Sequence, residues 1–136
     1  MRFALACLIV LAALAGCGED DEERPAAPQP ADTVVDLVVR VDPDGRDGSK
    51  PVQEAEVRCA DAADSPACRA VDDLQAEDFA PPPDNIACTQ QYGGPDTATV
   101  RGTLRGKQVD ASFSRTDGCE ITRWEEVAPL LEAATR

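Results

Sequence analysis

The chain has 136 residues, no histidine and a formal net charge of −13. Without imidazole there is no Ser-His-Asp or Cys-His nucleophilic site and no histidine-ligated zinc, so no catalytic residue, metal or cofactor is assigned and the chain reads as a non-enzyme. The surplus of carboxylates opposes phosphate contacts, which excludes nucleic acid as a partner, and it keeps a small domain soluble.

In chain order, Arg2 precedes an apolar run over residues 3–15, closed by Leu14-Ala15-Gly16-Cys17. The run is too short to span a bilayer comfortably and ends in small residues, the pattern of a cleaved export signal, so residues 1–16 are expected to be a signal peptide. Leu-Ala-Gly-Cys resembles the bacterial lipobox, which implies a lipid on Cys17 and anchoring at the outer face of the bacterial cell membrane. An ordinary secretory signal has the same small-residue site and would leave the protein secreted. Residues 17–32 are the lipidated cysteine and an acidic, then Pro/Ala-rich, linker with nothing to bury. Residues 33–136 are the one folded domain, small enough that its core alone is marginal. Of the six cysteines, Cys7 leaves with the signal and Cys17 is taken by lipid. Cys59, Cys68, Cys88 and Cys119 remain, an even number in an oxidising compartment. Three connectivities are possible, and pairing of sequence neighbours, Cys59 with Cys68 and Cys88 with Cys119, is the one expected.

Residues 33–42 alternate, with Val35, Leu37, Val39 and Val41 on one side and Val34, Asp36, Val38 and Arg40 on the other, as a strand with one face on a core does. Residues 43–49 are turn chemistry, and residues 52–59 alternate again through Ala55, Val57 and Cys59, giving a β-hairpin. The aspartates of residues 42–48 resemble a calcium loop, but Arg46 interrupts them and no distant glutamate closes the set, so a plain turn is expected. Ser65-Pro66 reads as a helix start, and Val71, Leu74 and Phe79 continue near helical spacing to the Pro81-Pro82-Pro83 stop. Residues 84–94 have no periodicity and form a loop. Strands follow over 97–104 and 108–114, joined by the tight turn Arg105-Gly106-Lys107. A terminal helix is expected around residues 127–133, with Pro129 tolerated only near its start. Trp124 is expected in the core. The order gives an α+β domain: an antiparallel sheet of about five strands, one or two short helices and two disulfides.

The loop carries the chemistry. Ala87-Cys88-Thr89-Gln90-Gln91-Tyr92 sets a crosslinked cysteine two residues before a polar dipeptide and four before an aromatic. An inhibitor that acts as a rigid substrate needs such a layout, because a loop held ready for a protease cleft loses less entropy on docking than a free peptide.

From about residue 37 to 120 the chain resembles the subtilisin inhibitor family first known from streptomycetes. The anchors are the strand Leu37-Val38-Val39-Arg40-Val41, the pair Cys59 and Cys68, the spacing from Cys68 to Cys88, and the loop Cys88-Thr89-Gln90-Gln91-Tyr92. Downstream they are Thr99-Val100-Arg101-Gly102-Thr103-Leu104-Arg105-Gly106-Lys107 and Cys119-Glu120. The resemblance implies a standard-mechanism serine protease inhibitor with its reactive bond between Gln90 and Gln91, and a protease-binding loop that includes Ala87, Cys88, Thr89 and Tyr92. It implies neighbour-linked disulfides, Cys88–Cys119 bracing the loop and Cys59–Cys68 supporting it from beneath, an extracellular serine protease of the subtilisin or chymotrypsin type as partner, and a possible homodimer. The loop is also similar to the Cys-Thr-X-X-Tyr loop of Kazal inhibitors, an unrelated fold. The chain departs from the family at Thr89, where proline is usual, and at Gln90, where a large apolar or basic residue is common. The alternative function is a non-inhibitory cell-envelope binding module on the same fold.

Overall fold

A computed structural model describes residues 34–45, 48–60 and 64–136. The expected signal peptide, Cys17 with its lipid, the linker, and Arg46 and Asp47 of the first turn lie outside the described residues.

The period-2 patterns become strands. β1 (Val35–Asp42), β2 (Gln53–Cys59), β3 (Thr97–Leu104) and β4 (Lys107–Phe113) form one antiparallel sheet in the order β2-β1-β3-β4. It has four strands where about five were expected. Register explains why the alternation is consistent across the sheet. Leu37 stands opposite Val57, Val39 opposite Val100, and Val100 opposite Ala111, so the apolar residues of every strand share one face. Asp36, Arg40, Glu56, Arg58, Arg101 and Asp110 lie on the other, exposed face. β1 and β3 approach closely at Gly102, where a Cβ would collide with the Asp36 carbonyl; its φ of 138° also disfavours any side chain.

The β3–β4 turn is two residues long, because Leu104 pairs with Lys107. Arg105 and Gly106 have φ of 47° and 80°, the doubly left-handed geometry whose twist matches a hairpin. Arg105 is unusual as a non-glycine there, and its side chain shows what holds it. Its guanidinium donates to the carbonyls of Leu74 (2.6 Å), Asp72 (3.0 Å) and Val71 (3.2 Å), the open C-terminal end of the first helix.

That helix, α1 (Pro66–Asp72), begins as expected: the Ser65 hydroxyl accepts from the Cys68 amide at 3.0 Å, and Pro66 occupies the first turn. It is shorter than the apolar spacing suggests. The chain breaks after Asp72 and re-forms as a 3-10 turn over Ala76–Phe79, capped by the Asp78 carboxylate on the Gln75 amide (2.7 Å). Val71, Leu74 and Phe79 are all buried nonetheless, so the spacing marked the core-facing residues and not one continuous helix.

The terminal helix departs further from the expectation. α2 spans Gly118–Ala134 and contains Pro129 in its interior, where only a short helix around residues 127–133 was expected. Asp117 starts it, its carboxylate accepting from the amides of Cys119 (2.9 Å) and Glu120 (3.0 Å). Pro129 lies on the exposed side, while Val127, Leu130 and Leu131 are buried and Trp124 packs half-buried against the core. Burial of such side chains is worth about 1.5–3 kcal/mol each, enough to hold the helix through a missing backbone hydrogen bond. The core is thus the apolar face of the sheet covered by α1, the 3-10 turn and α2, with Phe79 packed edge-on against Phe113 at 6.2 Å.

Candidate functional site

The loop preceding β3 meets the start of α2 through the residues 115–121. Cys88 is bonded to Cys119, with Cα atoms 5.3 Å apart. Next to it the Gly118 amide donates to the Thr89 carbonyl at 3.0 Å, and beyond the loop the Gly93 amide donates to the Arg115 carbonyl at 2.7 Å. Between these two ties Gln90, Gln91 and Tyr92 project as exposed residues, Tyr92 with 66% of its surface free. Ala87 and Thr89 are exposed as well, and Cys88 is half-buried. The residues assigned to the loop are consecutive in the chain, and the Gln90–Gln91 peptide bond lies in the exposed span between the two ties.

The far anchor is itself braced. Arg115 Nη1 pairs with Asp96 at 3.3 Å, and its guanidinium stands 5.9 Å from the centre of the Trp124 ring. Gly93 lies against Ile121 and Arg115, since a Cβ there would come within 3.1 Å of the Ile121 side chain and 3.2 Å of the Arg115 Cβ. A cleft of about 500 Å³ opens beside Tyr92, bounded by Gly45 of the β1–β2 turn, Gly94, Pro95 and Thr116. Behind the near anchor, Arg123 holds α2 to the rest of the domain. It pairs with Glu120 at 2.9 Å, reaches the carbonyls of Phe79 and Ser112, each at 3.4 Å, and lies 4.7 Å over the Phe113 ring.

Cys59–Cys68 fastens the edge strand β2 to α1, with Cα atoms 5.7 Å apart. It is a staple for the opposite edge of the sheet from β4, whereas Cys88–Cys119 ties the loop to the first turn of α2. Trp124, expected in the core, is a half-buried residue of α2 beneath Arg115. In the acidic first turn the carboxylates of Asp42 and Asp44 have protein partners. Asp42 accepts from the Asp44 amide at 3.2 Å, and Asp44 accepts from the Ser49 hydroxyl and pairs with Lys50 at 3.1 Å. The Ser49 hydrogen bond, aided by Lys50, holds the Asp44 carboxyl below its ordinary value even though burial opposes the charge.

Sequence reasoning missed Arg115, Asp117, Gly118 and Ile121 as the floor of the loop. A signal was there for one of them. Asp117 stands three residues before Glu120, the spacing of a helix start, and it identifies residues 117–119 as the rigid end of an element. Nothing local marks Gly118 or Arg115 as partners of residues 89 and 93, since those contacts close only in the fold.

Among known proteins, no family model, no curated protein and no solved structure matches the chain.

Proposed function

We propose that this chain is a serine protease inhibitor of the standard mechanism, directed at subtilisin-like or chymotrypsin-like enzymes, with Gln90–Gln91 as its reactive bond. The observation that carries the reading is an exposed dipeptide held between two anchors. On one side Cys88 is covalently tied to Cys119 and Thr89 is hydrogen-bonded to Gly118; on the other Gly93 is hydrogen-bonded to Arg115. The resemblance to the subtilisin inhibitors agrees with it in the loop and in both disulfide pairs.

The chemistry follows from that geometry. The protease's serine hydroxyl adds to the Gln90 carbonyl, the bond to the Gln91 nitrogen breaks, and the serine proton passes to that nitrogen through the enzyme's base. An acyl-enzyme at Gln90 and a free amine at Gln91 result. In an ordinary substrate the amine diffuses away and water completes hydrolysis. Here Gln91 stays joined to the domain through Tyr92 and Gly93, so the amine remains beside the acyl carbonyl at a high effective concentration and re-forms the peptide, releasing the serine. A stiff loop also gives up little conformational entropy on docking, which turns a substrate into a tight ligand. Glutamine before the scissile bond requires a pocket that offers hydrogen bonds to its amide, and Tyr92 supplies an aromatic contact on the leaving-group side. A lipid on Cys17 would confine this activity to the outer face of the cell membrane, with residues 18–32 as the spacer.

The test is titration of the full chain into subtilisin and into a protease that accepts glutamine. Stoichiometric loss of activity, with slow cleavage at Gln90–Gln91, is expected. Rapid degradation of the chain or indifference to it would instead favour the non-inhibitory binding module. Gln90→Leu is expected to shift relative potency between the two proteases by about tenfold or more. An unchanged profile would move the specificity residue elsewhere.

A further inference from the structure

At the start of α2 the amides of Gly118, Cys119 and Glu120 have no helical carbonyl to bond, and each finds an acceptor elsewhere. The Asp117 carboxylate takes those of Cys119 and Glu120, and the first bond internal to the helix runs from the Ile121 amide to the Asp117 carbonyl at 2.9 Å. The remaining one, from Gly118, goes to the Thr89 carbonyl. The helix end and the loop residue before Gln90 therefore complete each other.

Why the donor is a glycine does not follow from the helix. Gly118 is not in the left-handed region, and alanine is a better helix former. The reason lies in what a side chain would meet. A Cβ on Gly118 would overlap the Thr89 hydroxyl, and would lie 3.4 Å from the Thr89 Cβ and 3.6 Å from its amide nitrogen. Thr89 is β-branched, with few ways to turn aside, and Cys88 before it is fixed to Cys119. A group inserted at residue 118 forces the Thr89 side chain into another rotamer or shifts its backbone, and a backbone shift passes to the next residue, Gln90.

We infer that Gly118 is a positioning residue for the loop: its bare Cα is the seat for Thr89, and the Thr89–Gly118 contact sets how firmly Gln90 is held for the protease. This rests on the inhibitor reading for its consequence but not for its geometry. A small side chain at residue 118 should loosen the loop, so that the chain is cleaved faster and inhibits less well while the domain stays folded.

The test compares the full chain with Gly118→Ala, Thr89→Ala and the double variant by three measurements: hydrogen-exchange protection of the amide at position 118, cleavage rate and inhibition constant with subtilisin, and melting temperature. Gly118→Ala is expected to lower that protection and raise the cleavage rate by about tenfold, with no drop in melting temperature. Adding Thr89→Ala removes the obstructing hydroxyl and should restore most of the protection. Thr89→Ala alone, which cannot obstruct α2, should lower protection by a smaller factor. Protection and cleavage unchanged in Gly118→Ala, or effects of the two substitutions that simply multiply, would overturn the inference. A parent chain that does not inhibit at all would sink the inhibitor reading, while the protection measured without protease would still decide the Thr89–Gly118 contact.

Discussion

Asp44 is buried with 8% of its surface free, and it is held as an anion by the Ser49 hydroxyl and Lys50. Because its folded-state carboxyl titrates below the ordinary value of 3.8, the unfolded chain binds the proton more readily than the folded one. Its contribution to stability is therefore complete above pH 3.8 and is lost as the pH falls through the lower folded value. Asp44→Asn is expected to reduce stability at neutral pH and to flatten the acid limb of the stability curve, read from urea midpoints across that range. Parallel curves for parent and variant would mean that Asp44 titrates alike in both states. The turn residues announced themselves in the sequence, but the role of Asp44 did not, since Ser49 and Lys50 become its partners only when the hairpin closes. Gln90 and Gln91 were legible as candidates from Cys88 and Tyr92 around them. That they are exposed could not be read locally, because a polar pair is equally at home on any surface or in a buried hydrogen-bonded bridge.

At the scale of the element, α2 separates what a pattern indicates from what packing enforces. Residues 117–120 carried a start signal, yet Gly118 and Pro129 argued against a long helix and Glu125 and Glu126 interrupt its apolar residues. The sheet overrode these propensities by offering Val127, Leu130 and Leu131 a face to bury against. Pro129 sits on the exposed side and leaves the Glu125 carbonyl without its helical donor. Pro129→Ala restores that donor, and despite the looser unfolded chain it is expected to raise stability by about 1 kcal/mol, measured as a higher urea midpoint. A lower midpoint would mean that the proline sets the path of α2 across the sheet. The strands were read more accurately because a period-2 pattern is tied to one buried face, and a slip of one residue would expose the whole set. β4 starts at Lys107 and not at residue 108 because the Arg105-Gly106 turn is complete in two residues.

For the molecule as a whole, the two disulfides divide the stabilisation between fold and loop. Cys59–Cys68 closes a separation of 9 residues and Cys88–Cys119 one of 31. In the chain-entropy account these are worth about 2.5 and about 3.5 kcal/mol, the longer loop more because it restricts the unfolded chain more. The paired variant Cys88→Ala/Cys119→Ala should therefore cost more unfolding free energy than Cys59→Ala/Cys68→Ala, as measured by denaturant titration. Equal or reversed costs would show that local packing around the bridges, and not chain entropy, governs the difference. From sequence alone came the α+β class, the inward face of each strand, the start of α1 and the loop that carries Gln90 and Gln91, because periodicity, caps and turn residues act over a few neighbouring positions. Only the tertiary structure decided the strand order, the length of α2 and the seat of Thr89 on Gly118, because each depends on groups far apart in the chain, and a contact between residues 89 and 118 has no local signature until the core has brought them together.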